Sequence, residues 1–189
     1  MRNIIAAVIF IFLSLITYSQ NSKIENIRKL YNEINEHNYQ YHDVTMNAIL
    51  PVVGEKTKTV RLYFSAEQKD PELDPYEMVH TLYKVEIKYN ISSSSFLNFE
   101  YLYNEKGELI FHFEKVEGIY ENHEKRYYYD TGKLIMCKIK IDHEDGKKID
   151  YTNQKAFTRV DLKEANGVTE KAKRYQNFFE QLVLLDKVD

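Results

Sequence analysis

The spacing of apolar residues changes along the chain, and each change predicts an element. In "SKIENIRKLYNEINEHN" the residues Ile24, Ile27, Tyr31 and Ile34 recur at three and four positions. That places them on one face of a helix. Ser22 and Glu25 have the spacing of a capping box, in which each side chain satisfies the other's orphan backbone donor. The tail shows the same period: Val168, Ala172, Tyr175, Phe179 and Leu182 form one stripe, widened by Phe178, Val183 and Leu185. Asp161 or Asn166 is placed to cap this second helix.

Between the helices the period drops to two. "KTVRLYFS" alternates Val60, Leu62 and Phe64 with Thr59, Arg61 and Tyr63. "AEQKDPELDPYE" interrupts it with Pro71, Pro75 and several acids, which predicts a surface loop. "MVHTLYKVEIKYNIS" resumes the alternation, with Val79 to Ile91 at odd positions opposing His80, Lys84, Glu86 and Lys88. Such a strand has one buried and one wetter face. "FLNFEYLY" then sets Leu97, Phe99, Tyr101 and Tyr103 on one side. Leu109, Phe111 and Phe113 are expected to continue that inward set, and Ile135, Cys137, Ile139 and Ile141 to return it. "NEKG", "DTG" and "HEDGKK" supply turn-tolerant side chains plus glycine at positive φ, the grammar of hairpins. A short "IDY" follows the last of them. The expected fold is α+β: an antiparallel meander of about six or seven strands, with an N-terminal and a C-terminal amphipathic helix packed on one face.

Composition narrows the setting. "MRNIIAAVIFIFLSLITYS" has one positive side chain, Arg2, then an uncharged apolar run closing on small residues. This is the pattern of a secretory leader, residues 1–19, cut after Ser19. The run is short for the roughly 20 residues of a bilayer span, so no membrane span is expected after cleavage. Residues 20–189 suit a single domain. Removing the leader takes one of 26 basic residues and none of 29 acids, leaving a balance of −4. A mildly acidic chain without a long basic cluster is poorly suited to nucleic acid; "KAKR" at Lys171–Arg174 reads as a solvated helix face. Cys137 is the only cysteine, so packing alone must hold an exported fold. Its register points it into the core as a small hydrophobe.

Standard catalytic signatures are missing: no phosphate-wrapping G-x-x-x-x-G-K-[ST], no H-E-x-x-H, no G-x-S-x-G and no paired C-x-x-C. "DHEDGKKID" carries its glycine one position early for a calcium loop and reads as an Asp-Gly turn. No cofactor or metal is expected. His80 and His112 fall on the outward register with Arg126 and Tyr128, so these side chains are expected to share one surface. Sixteen tyrosines and ten phenylalanines stand beside no tryptophan. Tyrosines at outward positions, Tyr63, Tyr120 and Tyr128, suit a contact surface through a large ring with a polar tip. The candidate binding residues are therefore Tyr63, His80, His112, Tyr120, Arg126 and Tyr128.

The stretch "FEYLYNEKGELIFHFEK…EKRYYYDTGKLI" resembles the meander segment of small exported proteins of Bacteroidetes-type bacteria. Through Tyr-x-x-x-Gly-x-Leu it is also similar to hairpin repeats of the MORN-variant kind. The resemblance covers residues 96–141 and implies neither an activity nor site residues. The function expected is an exported, non-enzymatic module that contacts a protein, peptide or glycan through its outward sheet face or edge. The alternative is a small hydrolase or ligand-binding cup using a sheet histidine and a carboxylate. A further alternative is an immunity or inhibitor protein acting through the acidic stretch Glu67 to Asp74.

Overall fold

The computed structural model describes residues 20–51, 54–70, 74–91, 95–118, 121–154 and 156–186. The leader, residues 1–19, and the candidate Tyr120 lie outside them. The described part of helix α1 covers residues 20–36. Eight strands follow: β1 (Gln40–Leu50), β2 (Gly54–Asp70), β3 (Asp74–Ile91), β4 (Ser95–Tyr103), β5 (Leu109–Glu117), β6 (Glu121–Asp130), β7 (Lys133–His143) and β8 (Lys148–Asn153). Helix α2 (Arg159–Asp186) closes the chain. The strands pair antiparallel in chain order from β1 to β8, so the sheet is an eight-stranded meander with β1 and β8 at its edges. The count exceeds the expected six or seven. One reason is that β1 (Gln40–Leu50) lies ahead of "KTVRLYFS", the first alternating stretch of the sequence.

The two helices lie on opposite faces, which corrects the expectation that both cover one. Ala165, Val168, Ala172 and Phe179 of α2 pack with Leu62, Val85, Tyr101, Tyr103, Tyr127 and Cys137. Ile24, Ile27 and Ile34 of α1 pack with Leu102, Phe111, Tyr128 and Met136. Each helix has an apolar stripe to bury, and the centre of the sheet is apolar on both sides. A helix–sheet–helix sandwich buries all of it.

Two neighbouring cross-strand rows show how the division works. Tyr63, Lys84, Leu102, Phe111, Tyr128 and Met136 are successive partners across β2 to β7 and lie on the α1 side. The adjacent row, Leu62, Val85, Tyr101, His112, Tyr127 and Cys137, lies on the α2 side. Beside the first row each of the β2–β3, β4–β5 and β6–β7 pairings slips by one residue, leaving Tyr83, Ile110 and Ile135 as extras. All three extra residues pack in the α1 cluster. A bulge inverts the parity of everything beyond it. Tyr83, Phe111, Phe113 and Ile135 therefore leave the inward set expected for them and face α1, while Leu109 keeps its expected place on the α2 side and Leu82 joins it.

Local chemistry explains the element ends. The chain is already helical at Gln20, so Ser22 and Glu25 lie inside α1 and make no capping box. The Gln20 side-chain amide instead donates to the Ile135 carbonyl (2.6 Å), tying the helix to β7. Helix α2 has the reciprocal cap: Thr158 N–H donates to Asp161 Oδ2 (2.8 Å) and Asp161 N–H donates to Thr158 Oγ1 (3.1 Å). Asp161 is thus half of the cap, Thr158 is the N-cap residue, and Asn166 is mid-helix. The stretch expected as a loop after Ser65 is strand up to Asp70 and again from Asp74. Alternating residues there pair across a long hairpin, with Lys69 bonded to Glu77 (2.8 Å). At the β6–β7 turn Thr131 (φ 48°) and Gly132 (φ 76°) are both left-handed, as a two-residue type I′ hairpin requires.

Candidate functional site

A concave feature lies on the α2 side, between the second half of that helix and strands β2 to β4. It is a cleft of about 690 Å³, within the roughly 300–1,000 Å³ of small-molecule sites. Strand periodicity supplies its floor, because Val60, Ile87, Leu97 and Phe99 all carry the α2-facing register. Helix periodicity supplies its roof, since Lys171, Arg174, Tyr175 and Phe178 recur at three, four and seven positions from the first. Tyr89 and Tyr101 form the wall. The Tyr89 ring meets Phe99 edge-on at 5.9 Å, and the Tyr101 ring leans on Tyr175 at 5.5 Å.

Four cations border this apolar space: Lys56, Lys58, Lys171 and Arg174. Lys58 Nζ donates to the Tyr175 hydroxyl (3.1 Å) and lies 5.2 Å from the Tyr89 ring centre. Lys56 Nζ lies 4.9 Å from the same ring. Burial alone would draw the Lys58 ammonium down, but its bond to Tyr175 and the neighbouring Tyr89 outweigh this and raise it. The side chain is therefore charged at neutral pH. None of the four pairs with a carboxylate among the described residues, and no acid or histidine lines the cleft.

The residues singled out from the sequence do not converge. His112 is 1% exposed and lies on the α2 side, which contradicts its placement on an outward surface. Its Nδ1 sits 2.9 Å from the Glu100 carbonyl, an acceptor, so Nδ1 carries a proton. His80 is also on the α2 side, with its ring 5.7 Å from Phe64. Tyr128 is buried beneath α1, and Tyr63 and Arg126 share its face. Arg126 and Tyr128 line a smaller cavity of about 300 Å³ under α1, with Arg28 stacked on Tyr128 and Arg126 on Phe113. The shared surface expected for His80, His112, Arg126 and Tyr128 is thus two surfaces, separated by the sheet.

A histidine–carboxylate cluster does exist. Glu114 lies 2.7 Å from His123 Nε2 and 3.7 Å from His112 Nε2. Lys125 is its cross-strand partner and bonds Glu164 of α2, which also accepts from Tyr127 (2.6 Å). His112 packs against Phe99 of the cleft floor and Tyr101 of its wall, but neither it nor Glu114 lines the cleft. Burial pushes the Glu114 carboxyl up. The nearby His112 ring, the bond to His123 and the Lys125 charge outweigh that and hold it well below the ordinary carboxylate range. A carboxyl lowered by folding stabilises fully above its unfolded value of about 4.3 and loses that contribution as pH falls toward the native value. Urea midpoints should therefore drop as pH falls from 5 to 3. In Glu114→Gln that acid limb should be shallower and the pH 7 stability lower by about 1–3 kcal/mol; parallel pH profiles would remove Glu114 from this role.

Lys56, Lys58, Tyr89 and Tyr175 are the functional candidates that catalytic-motif reasoning misses. No known protein family, curated protein or solved structure matches the chain.

Proposed function

We propose that the protein is an exported, non-enzymatic binding module that holds a small, largely apolar ligand in the cleft between α2 and strands β2–β4. The observation that carries this reading is the cleft itself, an aromatic and aliphatic space left unfilled where the second half of α2 crosses the sheet. Interiors otherwise pack closely, and a space of this size with few convergent polar groups is the usual form of a ligand site. The leader pattern in residues 1–19 supports export, to a periplasm or the medium. A hydrolase would place a nucleophile or acid–base pair against the ligand. Here neither His112 nor Glu114 lines the cleft, so binding without chemistry is the better supported reading.

The neutral dye N-phenyl-1-naphthylamine, which brightens on leaving water, tests it. Folded protein should enhance its fluorescence. Leu97→Trp, which fills the floor, should weaken dye affinity at least fivefold while keeping the urea midpoint. Equal affinity in wild type and Leu97→Trp would place the site elsewhere.

A further inference from the structure

The rim of the cleft says more about its occupant than its floor does. The chain carries a net charge of −3, yet among the described residues every charged side chain lining this cleft is a cation. Many other cations of the described sheet are matched to acids: Arg61 to Asp43, Lys84 to Glu100, Lys115 to Glu117 and Arg126 to Glu124. The cleft cations are not so matched among the described residues. Lys56 and Lys58 rest on the Tyr89 and Tyr175 rings instead.

Their positions are set by the fold from two directions. Lys56 and Lys58 share strand register with Val60, so β2 carries them on the same face as the apolar floor. Lys171 and Arg174 come from the overlying helix at positions that share its face with Tyr175 and Phe178. Positive charge thus borders an apolar hollow from both above and below. Charge near a low-dielectric wall is felt more strongly than in open solvent. A neutral ligand would leave these charges without a counter-ion, and a cationic one would be repelled.

We infer that the cleft's ligand is a single-tailed anionic amphiphile, with its acidic headgroup held by Lys56, Lys58, Lys171 and Arg174 and its apolar tail lying on Val60, Ile87, Leu97 and Phe99. This rests on the cleft being the binding site, as proposed above. Headgroup and tail make separable contributions: the tail supplies burial common to any apolar ligand, and the headgroup supplies discrimination by charge.

Displacement of N-phenyl-1-naphthylamine by decanoate, decan-1-ol and decyltrimethylammonium separates the two. Decanoate should displace the dye at a concentration at least tenfold below that of decan-1-ol, and decyltrimethylammonium should be weaker than either. Raising salt should narrow the gap between acid and alcohol. In Lys171→Gln/Arg174→Gln, both exposed and remote from the core, decanoate should weaken about tenfold and decan-1-ol should not change. Equal potency of acid and alcohol would overturn the headgroup assignment while leaving the cleft reading intact. Failure of all three to displace the dye would remove both. Displacement by phosphatidylglycerol vesicles but not by decanoate would make the ligand a membrane surface and overturn the inference.

Discussion

Replacing Lys84 by methionine will lower folding stability by about 3–5 kcal/mol in urea unfolding at pH 7, the loss expected when one member of a buried ion pair is removed. Lys84 and Glu100 are 5% and 6% exposed, and Nζ lies 3.0 Å from Oε2. The pair is built into the α1 side of the sheet. Lys84 donates to Asn35 Oδ1 (2.6 Å), and Tyr31 donates to Glu100 Oε2 (2.9 Å), so two residues of α1 read the pair directly. Asn98 supplies a further donor to Glu100 (3.2 Å). Losing Lys84 leaves a buried carboxylate whose counter-charge has gone. The double variant Lys84→Met/Glu100→Gln should recover most of the loss, because the amide still accepts from Tyr31 and carries no charge. A double variant as unstable as Lys84→Met alone would mean that packing, and not charge, sets the penalty.

Phe179→Ala carries the second large effect, about 3–5 kcal/mol for truncating a buried aromatic side chain. Phe179 is the deepest anchor in the second half of α2. Its ring lies 5.4 Å from Phe64, which in turn stacks on His42 at 4.7 Å, fastening the helix over β1 and β2. Leu185, six residues on, is 65% exposed, so it does not widen the buried stripe as its spacing predicts. Leu185→Ala should stay within about 0.5 kcal/mol of wild type. Phe179 also holds the part of α2 that roofs the cleft, so Phe179→Ala should weaken dye binding in the folded protein. Lys84→Met acts from the other face and should not. Loss of dye binding in Lys84→Met, or its retention in Phe179→Ala, would mean that the helices do not divide their work as described.

Periodicity reveals both helices, and Gly107, Gly132 and Gly146 at positive φ mark the β4–β5, β6–β7 and β7–β8 turns, because a single buried stripe and a turn glycine each leave a local trace. The β1–β2 and β2–β3 hairpins leave none as clear. The placement of the helices on opposite faces is harder to read. Alternation separates two faces but does not say whether one or both are covered. The sign of double coverage is a contiguous apolar run, present at Tyr101–Tyr103 and Tyr127–Tyr129, where every residue is buried. The three bulges compound the difficulty: strict even-odd counting from Val79 or Leu97 passes through them and assigns Tyr83, Phe111 and Phe113 to the wrong side. Nothing local in the sequence marks Ile110 or Ile135 as an extra residue.

The cleft leaves a fainter trace. Lys56 and Lys58 hold the same parity as Val60, Leu62 and Phe64, so two lysines sit in an inward-facing register. Lys171 and Arg174 read as a solvated helix face, and they are exposed; that they overhang an apolar hollow depends on where α2 crosses the sheet. Tertiary contacts decide that crossing, through Tyr103 and Tyr129, whose hydroxyls donate to the Ala172 and Ala165 carbonyls at 2.8 and 3.1 Å.

The decisive measurement is amide chemical-shift mapping during titration with decanoate. Perturbations concentrated at Lys58, Val60, Tyr89, Phe99 and Tyr175 are the result expected if α2 and the sheet together form the binding site. Perturbations confined to Arg28, Phe113, Arg126 and Tyr128 would put the ligand under α1 and contradict the assignment.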